Sequence, residues 1–354
     1  MPAETVLVIG GGPAGLAAAR GVADVGTRAI LVEQRDRLGG TPISAGYSGF
    51  TPFFKDAEGI MNEMAAGVLK HPNCTVHLET AVRSRSGSAG DFTVTLSHAG
   101  GGAEIVTVGT IIIATGFDHF DPGKASQMYG YYEFPDVITL VDAERMLKAK
   151  NVVRPSTGQP PDRVCFVQCV GSRDRRIGNE YCSKVCCGVA TKEAIEIKEL
   201  LPNCRVTIFY IDMRMYGFWE NQLYWKAQEQ FKINFIRGVI TEILPKGDRL
   251  MIKGEDTTMG RPVEVPMDLV ILSVGMVPSK GTIEVGKLLG VLQEKHGFIE
   301  TPGAPMDTVS TSVPGIYVAG AAAGPKDLED SVSMAGLAAM KAIAAARQAP
   351  APVG

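Results

Sequence analysis

Hydrophobic positions near the start of the chain form short blocks that predict strands alternating with a helix. The apolar, β-branched run 5–9 predicts a buried strand, and a glycine-rich run follows at 10–15. Residues 16–20 are good helix formers, and the apolar run 29–32 predicts a second strand. The order strand, glycine turn, helix and strand predicts a βαβ unit with a parallel sheet.

The glycine turn has the spacing of a dinucleotide-binding loop. Gly10 permits a tight turn, Gly12 lets backbone amides approach a pyrophosphate, and Gly15 lets the helix pack closely on the strand. Glu33 lies 18 residues after Gly15, where a carboxylate can accept both hydroxyls of an adenosine ribose. A chance glycine turn is the alternative, but the strand, the helix and the acid together predict an adenine dinucleotide.

A second set of blocks predicts another unit of the same type. Residues 164–168 and 206–212 read as strands, with a helix near 190–200 between them. The fold class expected from the whole pattern is therefore α/β, with two Rossmann-like, three-layer domains.

Four of the seven cysteines, Cys169, Cys182, Cys186 and Cys187, lie in the loop that precedes this second helix. Three interpretations are open: ligation of a metal or an iron-sulfur cluster, a redox disulfide, or buried structural thiols. The adjacent Cys186 and Cys187 cannot easily pair with each other, and zinc sites usually use two spaced cysteine pairs. A 4Fe–4S cluster takes one thiolate per iron, so the spacing favours ligation of such a cluster.

Composition excludes some classes of function. A formal net charge of −3 gives no basic surface of the kind that binds nucleic acid. No apolar run reaches the roughly 18 residues that span a bilayer, and no signal sequence precedes the first strand, so we expect a cytoplasmic protein without a transmembrane segment. The five histidines show no metal-binding spacing, and we expect no metal site from them.

Three further motifs, at 38–41, 111–116 and 314–320, resemble the FAD domain of the flavoprotein disulfide reductase superfamily, in its thioredoxin-reductase-like group. The resemblance covers nearly the whole chain and implies that the dinucleotide is FAD. Ala321 follows Gly320 where that superfamily usually has an acid, and Asp327 is the candidate to replace it. The residues implied to bind FAD are Gly10, Gly12, Pro13, Ala14, Gly15, Glu33, Gln34, Arg35, Gly40, Thr41, Val82, Ala114, Thr115, Gly116, Gly320, Asp327, Ser331 and Val332.

The segment 167–199, which contains the runs 168–174 and 181–187, looks like the A subunit of heterodisulfide reductases. In that family the four matching cysteines hold a 4Fe–4S cluster near the flavin, so the resemblance implies Cys169, Cys182, Cys186 and Cys187 as ligands. Lys192 matches a family lysine placed near the flavin N5, where a cation tunes the reduced flavin. A solvent-facing helix lysine is the alternative for Lys192.

The resemblance also implies the type of activity. Thioredoxin reductases bind NADPH in the second domain, but Gly171, Gly178 and Gly188 do not have the spacing of its glycine turn, so we expect this binding to be lost. The chain then resembles a short A-like subunit of sulfur-oxidising heterodisulfide-reductase-like complexes, without ferredoxin-type cysteine runs. Such a subunit relays electrons between FAD and iron-sulfur centres, forms a homodimer and docks B-like and C-like subunits. The alternatives are an NADPH-dependent disulfide reductase with a redox dithiol, and a non-catalytic scaffold that holds FAD.

The expected domain plan follows from these assignments. Residues 1–120 and 282–354 form a discontinuous FAD domain, 121–154 a linker, and 155–281 an inserted domain that carries the iron-sulfur site. The Pro/Ala-rich tail 348–354 is expected to be disordered.

Overall fold

The computed structural model describes residues 4–124 and 129–348. These residues form two compact units. The first contains the described parts of Met1–Ser44, Glu58–Asp118 and Val277–Gly354, and the second contains Ala45–Ala57 and His119–Met276.

The secondary structure is numbered in chain order. The strands are β1 Thr5–Ile9, β2 Arg28–Val32, β3 Gly49–Phe50, β4 Lys55–Asp56, β5 Cys74–His77, β6 Thr80–Ser88, β7 Asp91–His98, β8 Ala103–Val108, β9 Thr110–Ile113, β10 Phe117–His119, β11 Val137–Thr139, β12 Arg163–Val170, β13 Arg205–Tyr210, β14 Asn234–Arg237, β15 Ile240–Lys246, β16 Arg249–Asp256, β17 Arg261–Met267, β18 Leu269–Val274, β19 Met276–Pro278 and β20 Ile316–Val318. The helices are α1 Pro13–Asp24, α2 Gly40–Ser44, α3 Ala57–Leu69, α4 Leu140–Lys148, α5 Cys186–Leu200, α6 Lys226–Glu229, α7 Lys280–Leu289 and α8 Leu328–Gln348.

The first unit is built on a five-stranded parallel sheet in the order β20-β9-β1-β2-β5. An antiparallel sheet, β6-β7-β8, and the helices α1 and α8 share one hydrophobic core with it, to which Val8, Phe92 and Ala338 belong. The chain leaves β1 towards β2 on one side, while β9 pairs on the other side of β1. The carboxyl end of β1 is therefore a topological switch point, where open α/β sheets bind their ligands.

The second unit repeats this plan. Its parallel sheet has the order β11-β18-β12-β13-β14, and β12 pairs with β13 on one side and with β18 on the other. Val164, Cys165 and Phe166 of β12 are fully buried, as expected for a central strand with both faces covered. The antiparallel sheet β15-β16-β17 and the short ladder β3-β4 complete this unit. The carboxyl end of β12, which leads into α5, is a second switch point.

The structure confirms the predicted fold class and extends several of the predicted elements. β1 has the predicted bounds. β12 runs from Arg163 to Val170 and is three residues longer than the predicted strand 164–168. The predicted helix 190–200 begins earlier, at Cys186. No helix among the described residues combines the length and the apolar content needed to cross a membrane.

The division into units differs from the expected domain plan in two places. The segment 121–154, expected to be a linker, contains β11 and α4, and β11 pairs with β18 inside the second sheet. Residues 45–57 belong to the second unit and not to the first. These segments belong to the second unit because they pair and pack with residues far away in the sequence. No local sequence pattern reveals such contacts. Of the predicted disordered tail, 349–354 lies outside the described residues.

Candidate functional site

The glycine turn after β1 is dictated by close backbone contacts. Gly10 has φ +110°, and a Cβ atom there would lie 2.4 Å from the carbonyl oxygen of Ala114. A Cβ on Gly15 would lie 1.8 Å from the carbonyl oxygen of Gly10. Any side chain at either position would collide with backbone, which explains both glycines.

Gly12 differs, because it borders open space. A Cβ there would meet only the Cα of Gly40, at 3.7 Å, although a Cβ on Gly40 itself would lie 2.6 Å from the Cα of Gly12. Helix α1 begins at Pro13 directly after Gly12, and no side chain caps its first amides. Uncapped amides at a helix start beside an open glycine form the kind of cradle that binds a pyrophosphate.

Glu33 lies at the carboxyl end of β2, where its carboxylate is buried and held in place. Its Oε2 accepts a hydrogen bond from the amide of Gly11 at 2.6 Å, and its Oε1 accepts one from the amide of Arg35 at 3.0 Å. The acid therefore lies against the glycine turn itself. This placement fits a carboxylate that receives ribose hydroxyls beside a pyrophosphate.

The ends of β9 and β20 reach the same edge of the sheet. Thr115 and Thr282 share a hydrogen bond of 2.7 Å between their hydroxyl oxygens, which ties the end of β9 to α7. Gly320 has φ +67°, and a Cβ there would lie 2.7 Å from the Cβ of Ala14 and 3.6 Å from that of Ser331. The strand ends, the start of α1 and the first turn of α8 thus come together at one edge of the first sheet.

The remaining residues predicted to bind FAD have varied surroundings. Asp327 uses Oδ1 to accept the amide proton of Asp330, so it caps α8. Pro13 is the first residue of α1 and Thr41 lies in α2, while Val82 is buried in the core of the first unit. Three further predicted residues are exposed: Gln34, Arg35 and Val332.

The four clustered cysteines, which we call the cysteine cluster, lie in the second unit around the carboxyl end of β12. Cys169 is in the left-handed region, with φ +64°, and the pairing register of β12 with β18 shifts between Val167 and Val170. Such a conformation is costly for a residue other than glycine and is typical of functional sites. Cys186 and Cys187 are the first two residues of α5, and both are 3% exposed.

The loop that carries Cys182 is fixed to the first residue of β19 by hydrogen bonds. The amide of Met276 donates to Ser183 Oγ at 2.9 Å, and the Tyr181 hydroxyl donates to the Met276 carbonyl at 2.8 Å. The amide of Arg173 donates to the Tyr181 carbonyl at 2.9 Å, which closes the loop on itself. Cys182 is therefore held by bonds on both sides of it, and the amide of Lys184 donates to its sulfur at 3.3 Å.

The surroundings of the cysteine cluster oppose free thiolates. Burial, together with the neighbouring Cys187, Cys169 and Cys182, raises the pKa of Cys186 well above its usual value. Burial also raises the pKa of Cys187, to about 11. The pKa of Cys169 is raised by burial, although the guanidinium of Arg173 opposes that effect. The sulfurs therefore lie near one another, two of them buried and two half-buried. Bound positive charge would be needed to keep such thiolates deprotonated.

The spacing of the cysteine cluster differs from that of a single-ion site. Tetrahedral zinc with bonds of about 2.3 Å to sulfur holds its sulfurs about 3.8 Å apart. Among the described residues, only His77, His98 and Glu104 form a group whose ligand atoms all lie within 4.8 Å of one another. A cube of four irons binds each cysteine to a different iron and holds the sulfurs further apart than a single ion does.

Buried polar atoms beside the cysteine cluster lack hydrogen-bond partners among the described residues. They are both side-chain amide atoms of Gln168 and the hydroxyl of Ser172. These two residues lie on either side of Cys169 in the sequence, and α5 also begins without a side-chain cap at Val185. Two of these atoms, the amide nitrogen of Gln168 and the Ser172 hydroxyl, are donors, and buried donors without partners fit a group that carries negative charge, such as a cluster with thiolate ligands.

Lys192 lies in the second turn of α5 and is fully buried, so the interpretation of it as a solvent-facing lysine is wrong. Its Nζ donates to Glu144 Oε1 at 2.7 Å, to Ser48 Oγ at 2.8 Å and to the Gly49 carbonyl at 3.2 Å. It also lies 3.1 Å from a carboxylate oxygen of Glu196. Burial alone lowers the pKa of Lys192, but Glu144 and Glu196 outweigh that effect and raise it.

The acidic residues around Lys192 were not among the predicted site residues. Glu196 could have been found from its spacing of four residues on the same helix, but Glu144 lies 48 residues away and carries no motif. Glu193 is fully buried, and neither of its carboxylate oxygens accepts a hydrogen bond from the described residues. Burial, followed by the charge of Glu144, raises the pKa of Glu193 well above its usual value, which favours the protonated form of this side chain.

Comparison with known proteins defines the class. A model of the family described as pyridine nucleotide-disulphide oxidoreductase matches residues 4–349, and the chain belongs to that family of flavin oxidoreductases.

Within this class the chain is similar to the A subunits of heterodisulfide reductases, which confirms the resemblance seen in the sequence. It is 41% identical over 243 residues to the A subunit of the H(2):CoB-CoM heterodisulfide,ferredoxin reductase of Methanothermobacter thermautotrophicus, a match that covers 67% of this chain and 37% of that protein. It is 32% identical over 468 residues to the A subunit of the ferredoxin:CoB-CoM heterodisulfide reductase of Methanosarcina acetivorans, covering 98% of this chain and 57% of that protein. The chain thus spans only part of the length of these relatives.

Solved structures share the fold. Thioredoxin reductase of T. acidophilum superposes with a TM-score of 0.64 at 19% identity, covering 96% of this chain and 97% of that chain. The thioredoxin reductase of Lactococcus lactis superposes with a TM-score of 0.63 at 20% identity, covering 98% of this chain and 99% of that chain. At this level of identity the likeness concerns the fold alone.

Proposed function

We propose that this chain is the FAD- and 4Fe–4S-containing electron-transfer subunit of a heterodisulfide-reductase-like complex. The observation that carries the proposal is the cysteine cluster, which occupies the end of β12 and the start of α5. Nucleotide-binding domains have their phosphate loop at this switch point. FAD supplies two-electron chemistry, whereas an iron-sulfur cluster passes electrons singly.

The proposed FAD site is the carboxyl edge of the first sheet. The open side of Gly12 and the uncapped start of α1 would receive the pyrophosphate, and Glu33 would receive the ribose hydroxyls. The amide of Gly11, which donates to Glu33 at 2.6 Å, keeps that carboxylate oriented. The other residues that the resemblance assigns to FAD stay part of this proposal.

The proposed cluster ligands are Cys169, Cys182, Cys186 and Cys187. Support comes from their mutual influence in a buried space, the unpartnered amide of Gln168, and the uncapped amides at the start of α5. These features favour bound thiolates over a dithiol that must ionise to react, since burial raises the pKa of Cys186 and Cys187.

Lys192 is proposed as the cation that tunes the flavin. Its charge is retained in a fully buried position because Glu144 and Glu196 lie beside it. The proposal of a flavin role rests on the family resemblance, and a charge kept in the interior of the protein at the cost of desolvation supports a functional role for Lys192.

Partners and pathway extend the same proposal. The relatives are named as A subunits of CoB-CoM heterodisulfide reductases, so we propose that this chain also works in an assembly. The proposed assembly is a homodimer of this chain with B-like and C-like iron-sulfur subunits, in the cytoplasm and in sulfur metabolism. Loss of NADPH binding in the second unit belongs to this proposal too.

The decisive experiment measures iron, acid-labile sulfide and zinc in anaerobically purified protein, with EPR after dithionite reduction. We expect about four irons per chain and a reduced-cluster signal. The variants Cys186→Ala and Cys187→Ala should lose both. Cys165→Ala and Cys204→Ala, which remove buried cysteines outside the cluster, serve as matched controls and should keep both.

A different result would point to a different protein. Protein that stays free of iron after reconstitution, yet holds FAD that NADPH bleaches, would be a dithiol reductase and would overturn the proposal. Bound FAD that can be neither photoreduced nor reoxidised would indicate a scaffold.

A further inference from the structure

Two histidines and a glutamate of the first unit meet at the rim of its antiparallel sheet. His77 is the last residue of β5, His98 is the last residue of β7, and Glu104 lies in β8. Glu104 pairs with Leu96, two residues before His98. Because residues two apart on a strand share a face, Glu104 and His98 are diagonal neighbours on the same side of the sheet. Leu96 is buried on that side, so the pair lies where the core meets the surface.

The distances within this group suit a metal ion. Glu104 Oε2 lies 3.6 Å from His77 Nδ1 and 3.6 Å from His98 Nε2, and all three ligand atoms lie within 4.8 Å of one another. Bonds of about 2.1 Å to tetrahedral zinc place ligand atoms about 3.4 Å apart. Small side-chain rotations would therefore bring the three atoms onto one ion.

A buried hydroxyl orients one of the two rings. The Thr80 hydroxyl donates to the Leu78 carbonyl at 2.6 Å, so its oxygen accepts the proton of His98 Nδ1, 2.9 Å away. With its proton on Nδ1, a neutral His98 ring directs the Nε2 lone pair towards Glu104. Histidines that bind metals are oriented in this way by a partner on the other nitrogen.

Solvent reaches the group, and its side chains come from two sheets. The side chains of His77, His98 and Glu104 are 19%, 34% and 43% exposed. β5 belongs to the parallel sheet, whereas β7 and β8 belong to the antiparallel sheet. An ion bound here would join the two sheets of the first unit at their rim.

We propose that His77, His98 and Glu104 bind one divalent transition-metal ion of the zinc type, with water as the remaining ligand. Two imidazoles and one carboxylate are a ligand set that zinc accepts, and an exposed rim leaves room for the water. Its three side chains are distinct from those proposed to bind FAD and the iron-sulfur cluster, although the His77 carbonyl accepts a hydrogen bond from the amide of Glu33 at 2.9 Å. Occupation of the site would stabilise the first unit.

The test is equilibrium dialysis of the cluster-loaded, FAD-loaded protein against Zn²⁺, followed by elemental analysis. We compare His77→Asn, His98→Asn and Glu104→Gln with His71→Asn, which removes a histidine that lies 3.5 Å from Asp24. Any zinc bound by the cysteine thiols is the same in wild type and in all the variants, so it does not affect the difference in zinc content between them. We expect wild type and His71→Asn to bind one more zinc per chain than the other three variants.

A second variant separates metal binding from structure. Thr80→Val keeps all three ligands but removes the partner of His98 Nδ1, and we expect zinc affinity to fall about 10- to 100-fold. Zinc should also raise the Tm of wild type and of His71→Asn, and leave that of His98→Asn unchanged. Equal zinc contents in wild type, His77→Asn and His98→Asn would overturn the proposal, as would an affinity unaffected by Thr80→Val.

Discussion

Two neighbouring residues of α5 show how burial gives charged side chains opposite states. Lys192 is fully buried but keeps its charge, because both carboxylate oxygens of Glu144 accept hydrogen bonds from its ammonium group, at 2.7 and 2.9 Å. Glu193 is equally buried, neither of its carboxylate oxygens has a hydrogen-bond donor among the described residues, and its raised pKa favours the protonated form. Burial is therefore offset by an ion pair at Lys192, whereas at Glu193 it favours the neutral acid.

This difference predicts opposite effects of two similar substitutions. Glu144→Gln leaves the buried ammonium of Lys192 short of a charge partner and should lower the free energy of unfolding by about 3–5 kcal/mol. Glu193→Gln replaces one neutral group by another, and it should leave the free energy of unfolding unchanged or raise it. Urea unfolding followed by circular dichroism measures both.

The pH dependence gives the control. The folded pKa of Glu193 is above its unfolded value, so between the two the folded state binds more protons, and this group makes stability fall as pH rises. Wild type should therefore lose this contribution as the pH rises from about 4.3, the ordinary pKa of a glutamate, through the raised folded pKa, and Glu193→Gln should not. If wild type and Glu193→Gln lose the same free energy of unfolding up to neutral pH, Glu193 is ionised there.

At the scale of elements, the turn between β1 and α1 combines two kinds of glycine. Gly10 and Gly15 are required by contacts within the protein, since a Cβ at either position would collide with backbone oxygen. Gly12 is not required in that way, because the atom nearest to a Cβ at this position would be the Cα of Gly40, 3.7 Å away. A glycine that the fold itself does not need indicates space kept for a ligand.

Substitutions in this turn should separate folding from FAD binding. Gly15→Ala should prevent correct packing of α1, so this variant should lose both its fold and its FAD binding. Gly12→Ala should fold like wild type but bind FAD at least about tenfold more weakly, because its methyl group enters the cradle. Flavin absorbance of the purified protein and circular dichroism report the two properties.

Gly21→Ala provides the matched control in the same helix. Its new methyl group would meet Ala339 at 3.6 Å, an ordinary contact, so both folding and FAD binding should persist. Undiminished FAD binding by Gly12→Ala would mean that the pyrophosphate lies elsewhere.

At the scale of the whole molecule, each unit has its own parallel sheet with a switch point at the central strand. The proposed FAD site occupies the end of β1, and the cysteine cluster occupies the end of β12. Both tryptophans, Trp219 and Trp225, belong to the second unit. Intrinsic tryptophan fluorescence therefore reports on that unit.

Added FAD should stabilise the unit that binds it. At 100 times its Kd, FAD should add about 2.7 kcal/mol to the unfolding free energy of the first unit, seen as a later release of fluorescent flavin in urea. The tryptophan transition of the second unit should move by less. A tryptophan transition that shifts as far as the flavin transition would show that the two units unfold together.

The sequence by itself determined the features whose signals are local. The run 5–9, the glycine spacing and Glu33 predicted β1, the turn and the acid at the end of β2, because strand period, glycine spacing and helix propensity act over a few residues. The runs 164–168 and 206–212 predicted the second unit in the same way, and the family resemblance assigned the four cysteines to an iron-sulfur cluster. The start of α5 was misjudged by four residues, because cysteine is a poor indicator of a helix.

Only the tertiary structure decided the contacts between distant positions. It assigned α4 to the second unit, brought Glu144 to Lys192 across 48 residues, and gathered His77, His98 and Glu104, whose spacing matches no metal motif. Pairing register and burial place such side chains together, and neither is encoded in the local pattern. The sequence therefore determined the elements and the family, and the packing of those elements decided which charges, acids and possible ligands meet.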